Sequence, residues 1–560
     1  MAERMVLMKK KLLSILLAAV MAVSVCACGD DATNANGTSE SQVVQNTTES
    51  KESAVSTEPE EYVPTYPIVE KPITIKGLVV GLNTDFSESR IIWDKVAELT
   101  GISIEWEVID KESVATYLAG GDWPDLFHYE FDSATVNDYG ILGGRFVNYL
   151  DYLDIMPNLA KTYEDYPMTL AASTQLNGEV YNLFKCNGAL ATAVMARPHV
   201  RLDVLEGAGI KEMPKTVDEF YDQLVTLKAH YGTPSFILGT ETESDWAPML
   251  FAAFGTLTQL DFADDGTGKV VFARTSEQMK HYYEFLHKLY DEELMNREWL
   301  TLDNTAKTQI AKSGTYAYIT RIAAQNLGAD VLKDGNFDYL GTCAPLTSEY
   351  DSTQEIMGYV DYASTCGMYI NAESEYVEEI CKMLDIAFAT EEVAEGTGLC
   401  GQSFMYGIEG VDWKINNDGT WEQMWPEKYK TASEYQLGAL IWINFGRADQ
   451  FGSAVTATPG NAQARAKGFV ANVLPYQSDK VVKKSLLKFT EDEQYVLDNK
   501  LAEIESYYKQ MEAEFITGAA DIATQWDTYV DTIQKMGLED VMKVYQAAYD
   551  RWNTAMEATK

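Results

Sequence analysis

The sequence predicts an α/β protein with a mainly parallel sheet, closed by a group of C-terminal helices. Strand and helix patterns alternate from Ile73 onward, and parallel strands joined through helices require right-handed crossovers. Three amphipathic stripes between residues 490 and 552 predict consecutive helices at the end of the chain. An apolar core is available, because 46% of the 560 residues are hydrophobic and 11% are aromatic.

The first 27 residues have the pattern of a secretory signal peptide. Lysines at 9–11 precede the apolar stretch 12–25, which is shorter than the roughly 20 apolar residues that a membrane span needs. The sequence VCAC at 25–28 resembles the bacterial lipobox, in which an aliphatic and a small residue precede an acylated cysteine. We therefore expect Cys28 to be lipidated, with an ordinary signal cleaved elsewhere as the alternative.

Residues 28–70 predict a disordered acidic tether. This segment consists mainly of Asp, Asn, Thr, Ser and Glu, with very few large apolar residues. Such a composition does not bury enough apolar surface to offset the entropy that ordering costs. A flexible tether after an N-terminal lipid suits a domain that faces away from a membrane.

The folded part begins with strand, helix and strand patterns in turn. Gly101 is a suitable end for the first helix, because it follows the last residue of the helical spacing. The motif GGDWPDLFHY then predicts a turn that leads into a third strand. The predicted elements are strands at 73–82 and 102–108, helices at 92–99, 113–118, 216–230 and 276–290, and a resumed α/β pattern over 180–318.

The C-terminal helices carry their own boundary signals. Thr490 and Glu493 form a predicted capping box, and apolar residues follow at alternating spacings of four and three. Gly518 and Gly537 are predicted to end the first and second of these helices. Stripes of this kind are typical of core packing.

Charge and motif content exclude several functions. The net charge of −41 would be repelled by phosphate backbones, which argues against a nucleic-acid partner. The chain has no P-loop, no HExxH or CxxC pair and no GxSxG motif, and SLLK at 485–488 lacks a KTG partner. We expect no cofactor and no metal. Five cysteines after the lipobox are scattered and are predicted to be buried and unreactive: Cys186, Cys343, Cys366, Cys381 and Cys400.

A calcium site is an alternative at one acidic segment. Asp261, Asp264 and Asp265 before Gly266 are similar to the start of an EF-hand loop, but Phe272 occupies the position of the bidentate glutamate. A β-turn between two short strands explains the same residues, and it is the interpretation that we favour.

Several stretches together resemble one protein family. The C-terminal EFITGAADIATQWDTYVDTIQKMGLEDVMKVYQAAYDRWN is similar to the signature of family 1 extracellular solute-binding lipoproteins, the large Gram-positive branch that serves ABC-type carbohydrate importers. LAGGDWPDLF resembles the GD-x-PD turn of the family, and SFMYGIEGVDW its G-x-E-G turn. ARPHVRLDVLEGAGIKEMPKTVDEFYDQLVTLK resembles a further conserved segment of the family. The resemblance covers essentially everything after the tether.

The resemblance implies a two-lobe fold of the periplasmic-binding-protein type II kind, with a hinged cleft. Residues 71–190 and 360–415 would form the N-terminal lobe, and residues 191–359 and 416–560 the C-terminal lobe. The function implied is that of a lipid-anchored receptor on the extracellular face of the cell membrane. It would bind a carbohydrate, expected to be an oligosaccharide, and deliver it to membrane permease subunits whose ATPase is a separate partner.

The resemblance also indicates which residues face the cleft. Sugars present hydroxyl edges and apolar C–H faces, so a site needs aromatic rings beside polar and charged side chains. Relatives often carry a Trp where this chain has Ala323 and Ala324, which is a departure from the family pattern. The candidate ligand-binding residues are Tyr129, Asp132, Lys185, Asn187, Asp245, Trp246, Tyr318 and Arg321.

Two other classes of function stay open at this stage. A secreted enzyme acting on polysaccharide would need two carboxylates close in space, which 85 acidic residues readily allow. An adhesive surface lipoprotein would share the anchor and tether without needing a cleft. The importer-type C-terminal signature favours binding without catalysis.

Overall fold

The computed structural model describes most of the chain beyond the predicted tether. The described residues are 62–80, 91–186, 199–238, 247–255, 261–320, 323–324, 326–357, 363–365, 367–390, 397–416, 421–424, 446–447, 460–478, 482 and 486–558. Residues 65–560 form one compact unit, and residues 1–64 are a separate unit, of which only 62–64 are described. The predicted signal peptide, Cys28 and nearly all of the tether lie outside the described residues.

Short strands alternate with helices along the described chain. The strands are Ile73–Val80, Ile102–Ile109, Leu126–His128, Phe184–Cys186, His199–Arg201, Phe262–Asp264, Val270–Phe272, Tyr318–Ile319, Leu340–Thr342, Ile356–Met357, Ala363–Thr365, Met368–Ile370, Trp413–Ile415, Trp421–Gln423, Gly446–Arg447 and Gln477–Ser478.

Helices are the larger part of the structure. The α-helices are Ile91–Thr100, Val114–Gly120, Ser133–Thr135, Pro157–Asp165, Pro167–Ser173, Leu202–Gly207, Val217–Tyr231, Ala247–Ala253, Glu277–Asp291, Asn304–Lys312, Val377–Asp385, Gly401–Tyr406, Asn461–Asn472, Glu491–Val496, Ala502–Thr517, Ile522–Lys535 and Leu538–Ala558. The short 3₁₀ and π segments are Lys111–Ser113, Val136–Leu142, Tyr149–Tyr152, Ala273–Thr275, Ala329–Val331, Lys333–Gly335, Phe337–Tyr339, Ile386–Phe388, Leu474–Tyr476 and Leu497–Leu501. None of the helices in the described ranges is long and apolar enough to cross a bilayer.

The first sheet has the parallel arrangement that the sequence predicts. Ile73–Val80 lies between Ile102–Ile109 and Leu126–His128, and it pairs with both in parallel. The fourth strand, Met368–Ile370, comes from far along the chain and pairs antiparallel with Leu126–His128. The carboxyl ends of the parallel strands therefore meet at one edge of this sheet.

Helix boundaries follow the predicted caps closely. The side chain of Thr216 accepts a hydrogen bond from Glu219 N, and the carboxylate of Glu219 accepts one from Thr216 N. These two bonds form a capping box at the start of the helix Val217–Tyr231. Thr490 and Glu493 form the predicted box at the start of Glu491–Val496. The helical run then continues through the π turn Leu497–Leu501, which the apolar spacing alone does not indicate.

The described part of the chain contains at least three apolar clusters, and the two called here the first core and the second core are built from different segments of the chain. The second core draws on residues between 200 and 356 and between 469 and 549, including all the C-terminal helices. The first core contains only residues from the N-terminal half and one from the strand Met368–Ile370: Leu78, Val80, Leu118, Trp123, Phe127, Phe131, Val136, Phe146, Tyr181 and Tyr369. An α/β chain with two cores built from interleaved segments is the architecture that the resemblance implies.

A buried arginine fastens the hairpin Phe262–Asp264/Val270–Phe272 to the C-terminal helices. Arg274 Nε lies 2.9 Å from Asp261 Oδ1, and its Nη1 lies 3.1 Å from Glu512 Oε2. The hydroxyls of Tyr508 and Tyr283 donate to Asp261 and Glu512, respectively, each at 2.9 Å. Because each charge has a partner and further hydrogen bonds, the cluster overcomes much of the cost of burial.

The acidic segment before Gly266 forms the predicted turn of this hairpin. Asp264 Oδ1 accepts hydrogen bonds from the backbone N–H groups of Gly266 and Gly268, at 2.7 and 2.9 Å. Asp265 Oδ1 accepts one from Thr267 N at 2.8 Å. Asp side chains commonly accept hydrogen bonds from backbone N–H groups a few residues further on in tight turns. The turn therefore gives both carboxylates a structural role.

The four cysteines that the structure describes beyond residue 185 are buried thiols. Burial raises the pKa of Cys343 and of Cys381, so both remain protonated at neutral pH. This placement agrees with the prediction of buried, unreactive cysteines for Cys186, Cys343, Cys381 and Cys400; Cys366 lies outside the described residues.

A three-stranded sheet, here called the bridging sheet, joins distant parts of the chain. Its central strand Phe184–Cys186 pairs antiparallel with Ala363–Thr365 and parallel with Gly446–Arg447. The strand Gly446–Arg447 thus lies beside Phe184–Cys186, a segment that the sequence assigns to the N-terminal lobe. The lobe boundary at 415/416 stays a prediction.

The bridging sheet depends on a glycine at its edge. Gly446 has a φ of +98°, and a Cβ built there overlaps the carbonyl oxygen of Ala387. We predict that Gly446→Ala lowers the free energy of unfolding by at least about 1–3 kcal/mol, because backbone strain and the overlap add together. Denaturant unfolding measures this change.

Gly398→Ala is the matched control for this prediction. Gly398 also has a positive φ, +73°, but a Cβ there meets open space. An equal loss in both variants would mean that φ alone, and not the approach of Ala387, makes glycine necessary at position 446.

A buried carboxyl group ties the helix Val377–Asp385 to the helix Pro157–Asp165. Asp385 is 2% exposed; its Oδ1 accepts a hydrogen bond from Leu159 N at 2.8 Å, and its Oδ2 accepts one from Asn158 Nδ2 at 2.9 Å. Burial raises the pKa of Asp385 to about 7, although these hydrogen bonds oppose the rise. The folded protein therefore binds this proton more tightly than the unfolded chain does.

The raised pKa gives a pH dependence with a definite sign. Since the folded state holds the proton of Asp385 up to a pH of about 7 and the unfolded state loses it near 4, its contribution to stability falls as pH rises across that window. We predict that the Tm of the parent protein falls relative to that of Asp385→Asn between pH 5 and pH 8. Parallel Tm curves for the two proteins would contradict the assignment.

Candidate functional site

The candidate site lies at the carboxyl edge of the first sheet, where the strand Leu126–His128 ends. The turn before this strand is held by Asp125, whose Oδ2 accepts a hydrogen bond from Lys76 N and whose Oδ1 accepts one from Ser374 Oγ, both at 2.7 Å. Asp125 of the GD-x-PD turn is therefore a structural residue that fixes the strand. Ligands of α/β sheets bind beyond the carboxyl ends of strands, so the loop after Leu126–His128 is a candidate ligand-binding loop.

Two predicted ligand-binding residues lie on this loop. Tyr129 is half-buried, and its ring packs edge-on against Phe131 with 5.3 Å between the ring centroids. Asp132 is exposed, but its Oδ1 accepts a hydrogen bond from Thr135 N at 2.8 Å and caps a short helix. One carboxylate oxygen of Asp132 thus has a structural role.

Glu130 lies between these two residues and was not among the predicted ones. Its side chain is exposed, and its Oε1 accepts a hydrogen bond from Asn182 Nδ2 at 3.4 Å. Burial lowers the pKa of the neighbouring His128 to about 4, so that this imidazole is neutral at pH 7. The charge of the loop therefore comes from the carboxylates of Glu130 and Asp132.

Lys185 lies on the central strand of the bridging sheet. It is half-buried, and in the sheet register it stands opposite Ser364 on one side and Gly446 on the other. Asn182 precedes it by three positions along the same stretch of chain. Lys185 thus lies on the strand that joins three distant segments, and its position near a hinge stays a prediction.

A lysine from the C-terminal part of the chain reaches the same region. Burial lowers the pKa of Lys488, and the carboxylate of Glu130 acts in the opposite direction. The carbonyl oxygen of Lys488 accepts a hydrogen bond from Arg551 Nη2 at 2.9 Å, which fixes the segment to the last helix. That helix, Leu538–Ala558, contacts Pro167–Ser173 of the N-terminal half. Residues on two parts of the chain thus share one electrostatic environment.

The structure gives Tyr318 a different setting from the predicted one. It has no exposed surface, its hydroxyl donates to Gln223 Oε1, and its ring packs edge-on against Phe220 at 4.9 Å. Burial raises its pKa well above the usual range. This position favours packing in the second core over contact with a ligand. Ala323 and Ala324, which depart from the family pattern, are also fully buried.

The other predicted site residues lie outside the described part of the chain. They are Asn187, Asp245, Trp246 and Arg321. They stay predictions.

The described site carries groups suited to binding polar molecules. It presents an aromatic ring, carboxylates, an amide and ammonium groups, which together complement hydroxyl groups. Within the described ranges, no three His, Cys, Asp or Glu side chains come together as they would around a metal ion. Sequence reasoning found Tyr129 and Asp132 through the motif before them, but it missed Glu130, Asn182 and Lys488. Lys488 appeared only as the end of an SLLK sequence without a catalytic partner.

Comparisons with known proteins agree with this architecture. The fructooligosaccharide ABC transporter substrate-binding protein FusA of Streptococcus pneumoniae serotype 4 is 24% identical over 520 residues, which cover 87% of this chain and 92% of FusA. Lipoprotein LipO of Bacillus subtilis (strain 168) is 25% identical over 199 residues, covering 33% of this chain and 37% of LipO. No protein-family model matches the sequence.

Solved structures of solute-binding proteins share the fold. An extracellular solute-binding protein from Bifidobacterium longum subsp. infantis superimposes with a TM-score of 0.67 at 19% identity, covering 86% of this chain and 98% of that chain. FusA of S. pneumoniae in complex with kestose gives a TM-score of 0.62 at 19% identity, covering 86% of this chain and 99% of that chain. The predicted two-lobe α/β fold is confirmed.

Proposed function

We propose that this chain, a homologue of the substrate-binding proteins of carbohydrate ABC importers, captures an oligosaccharide between its lobes and delivers it to a membrane permease. The observation that carries the proposal is the match to FusA, which extends over nearly the whole of both proteins. A match of that extent relates the complete two-lobe body and not one shared module. The homologues are substrate-binding proteins, which fits a protein without catalytic activity.

Two lobes around a hinge provide the mechanism for capture. The separate first and second cores support lobes built mainly from residues 71–190 with 360–415 and from residues 191–359 with 416–560. The bridging sheet supplies short strands at which one lobe turns relative to the other. Because Gly446–Arg447 pairs with Phe184–Cys186, we propose that this short strand belongs to the hinge.

The ligand would lie against the loop that follows the first sheet. Tyr129 offers a ring for an apolar sugar face, and Asp132 and Lys185 offer an acceptor and a donor for hydroxyl groups. Asn187, Asp245, Trp246 and Arg321 would complete the site from the second lobe and the hinge. Tyr318 supports the site from within the second core.

Anchoring and partners complete the proposal. Cys28 would carry the lipid, and residues 28–70 would tether the lobes to the outer face of the cell membrane. Permease subunits and their ATPase would be separate proteins, since this sequence contains no P-loop. LipO is a lipoprotein by name, and its similarity supports the anchoring proposal.

Sugar binding is tested directly by a thermal-shift panel. Fructo-, malto-, xylo- and manno-oligosaccharides, with kestose among them, are added to the purified protein. A sugar present at 100 times its Kd should stabilise the folded state by about 2.7 kcal/mol and raise Tm, because it binds only the folded form. A monosaccharide mixture at equal mass serves as the control for nonspecific osmolyte effects.

The same incubations test for catalysis. Mass spectrometry should recover the stabilising oligosaccharide unchanged after prolonged contact with the protein. A shortened or oxidised product that forms in proportion to protein concentration would make the protein an enzyme. If no oligosaccharide in the panel raises Tm, the proposal of a carbohydrate receptor is wrong.

Lipid anchoring is tested by Cys28→Ser. The variant has no thiol to acylate at the lipobox position, so it should leave the membrane fraction and appear in the medium with an unchanged Tm. One acyl chain gives only marginal anchoring, so the loss of a multiply acylated residue should release most of the protein. Cys26→Ser is the control and should stay with membranes; equal fractionation of both variants would refute the lipobox assignment.

A further inference from the structure

A buried amide beside the candidate site has an incomplete set of hydrogen bonds. Asn182 is 2% exposed, and its Nδ2 donates to Glu130 Oε1 at 3.4 Å. Its Oδ1 is buried and has no hydrogen-bond partner in the structure. A carboxylate oxygen accepts hydrogen bonds, so the NH₂ group of Asn182 must face Glu130 and its oxygen must point elsewhere. The group that lacks a partner is therefore an acceptor.

The partner of this amide belongs to the loop that carries the predicted ligand-binding residues. Glu130 follows Tyr129 on that loop, and Tyr129 N donates a hydrogen bond to the carbonyl oxygen of Gly367 at 2.8 Å. A Cβ built on Gly367 would lie 2.3 Å from Glu130 N, so the loop lies directly against the backbone of Gly367. The loop is therefore fixed by one backbone contact, at Gly367, and by one side-chain contact, at Asn182.

Both contacts lie at one end of the bridging sheet. Asn182 comes two positions before Phe184, and Gly367 comes two positions after Thr365. Phe184 and Thr365 stand opposite each other in the antiparallel register of that sheet. Asn182 and Gly367 therefore leave the sheet at the same end, and both reach Glu130 there. The unmet acceptor thus lies between the candidate site and the sheet that we propose as the hinge.

The unmet oxygen lies close to an exposed side chain. The nitrogen and oxygen of one amide are about 2.3 Å apart, so Asn182 Oδ1 lies within about 6 Å of Glu130 Oε1. Glu130 is exposed, and its bond to Asn182 is longer than the roughly 2.7–3.2 Å of a well-formed N–H···O hydrogen bond. A rotation of the Glu130 side chain away from Asn182 therefore breaks only a weak bond.

A hydroxyl group has the chemistry of the missing partner. Buried polar atoms in proteins normally have a partner, which is supplied by protein, water or ligand. The missing partner of Asn182 must donate, and a hydroxyl group donates one hydrogen bond while its oxygen accepts others. Sugars carry such groups on nearly every carbon, next to the apolar faces that an aromatic ring such as that of Tyr129 can contact.

We propose that Asn182 Oδ1 accepts a hydrogen bond from one hydroxyl group of the bound oligosaccharide, at the end of the bridging sheet. The Glu130 side chain turns aside as the sugar enters, and the hydroxyl group takes the place beside the amide oxygen. This inference rests on the proposed function, and it adds one hydroxyl group that the ligand must carry. The requirement is for a donor, because an amide oxygen forms no hydrogen bond with an ether oxygen or a C–H group at the same position.

The unmet acceptor predicts how a substitution affects stability. A buried acceptor without a partner costs free energy, so its removal should not destabilise the folded protein. Because Leu has the same branching as Asn, Asn182→Leu should keep or raise the Tm measured without sugar. Asn371→Leu is the matched control and should lower Tm, because Asn371 is also buried, at 6% exposed, but its Oδ1 accepts a hydrogen bond from Glu373 N at 3.1 Å.

The control residue lies away from the candidate site. Asn371 N donates a hydrogen bond at 3.0 Å to the carbonyl oxygen of Asp125, the residue before the strand Leu126–His128. Asn371 is therefore at the amino end of that strand, whereas the candidate site is at its carboxyl end. Asn371→Leu should bind sugar as the parent does.

Calorimetric titration with deoxy sugars tests the contact itself. The probe is kestose or, where kestose does not raise the Tm of the parent, the panel oligosaccharide that raises it most, together with its monodeoxy analogues. At least one analogue should bind the parent about 3- to 10-fold more weakly than the complete sugar, because it lacks the donor. Asn182→Leu should bind the complete sugar more weakly by a similar factor and should bind that analogue equally well. Such coupling between one hydroxyl group and one side chain is the signature of a direct contact.

The outcomes separate the inference from the function on which it rests. If the parent binds a sugar but every analogue loses the same factor in the parent and in Asn182→Leu, the inference is wrong and the receptor function stands. A Tm lowered as far as in Asn371→Leu, with sugar binding unchanged, would make Asn182 a packing residue. Asn182→Ala repeats the titration if Asn182→Leu does not fold; if neither variant folds, the amide has a structural role and the inference is refuted. Failure of every sugar to bind the parent would overturn both proposals.

Discussion

The pairing of Phe184–Cys186 with two strands from distant segments is the constraint on which the architecture depends. Ala363–Thr365 and Gly446–Arg447 reach this strand from almost 180 and 260 residues away, and all three meet in one sheet. Backbone hydrogen bonds are directional, so this sheet fixes where the chain passes between its two cores. The backbone of residue 446 lies so close to the carbonyl oxygen of Ala387 that no side chain fits between them, so this position requires glycine.

Local signals in the sequence were sufficient for most helices. The Thr490–Glu493 pair predicts a helix start because a capping box involves only neighbouring residues, and Thr216 and Glu219 form the same box in the structure. The short strands are different, since a segment of two or three residues becomes a strand only through its partner. Met368–Ile370 has no local reason to join the first sheet antiparallel, and its pairing appears only in three dimensions.

In the candidate site, too, some residues follow from local sequence and others depend on distant parts of the chain. Tyr129 and Asp132 follow a recognisable turn and lie at the predicted edge of the first sheet. A single aromatic residue in a strand does not reveal from sequence whether it faces the core or a cleft, because both kinds of position have the same spacing. Tyr318 is such a residue, and it is fully buried. Lys488 and Glu130 are separated by more than 350 positions, so no sequence motif links them. The segment of Lys488 is held to the last helix through Arg551, and that helix contacts Pro167–Ser173.

The attachment of the hairpin Phe262–Asp264/Val270–Phe272 has a consequence for how the protein is made. Its turn and strands are held by the last helix, through Gln546 Oε1 on Val270 N and the Tyr549 hydroxyl on Asp264 Oδ2, across 276 and 285 residues. The ring of Phe262 stacks on Tyr545 with 3.6 Å between the centroids. The second core is therefore incomplete until residues 545–549 have been synthesised, because they supply the partners of this hairpin. The hairpin must wait in the nascent chain for more than 270 further residues before it reaches its final packing.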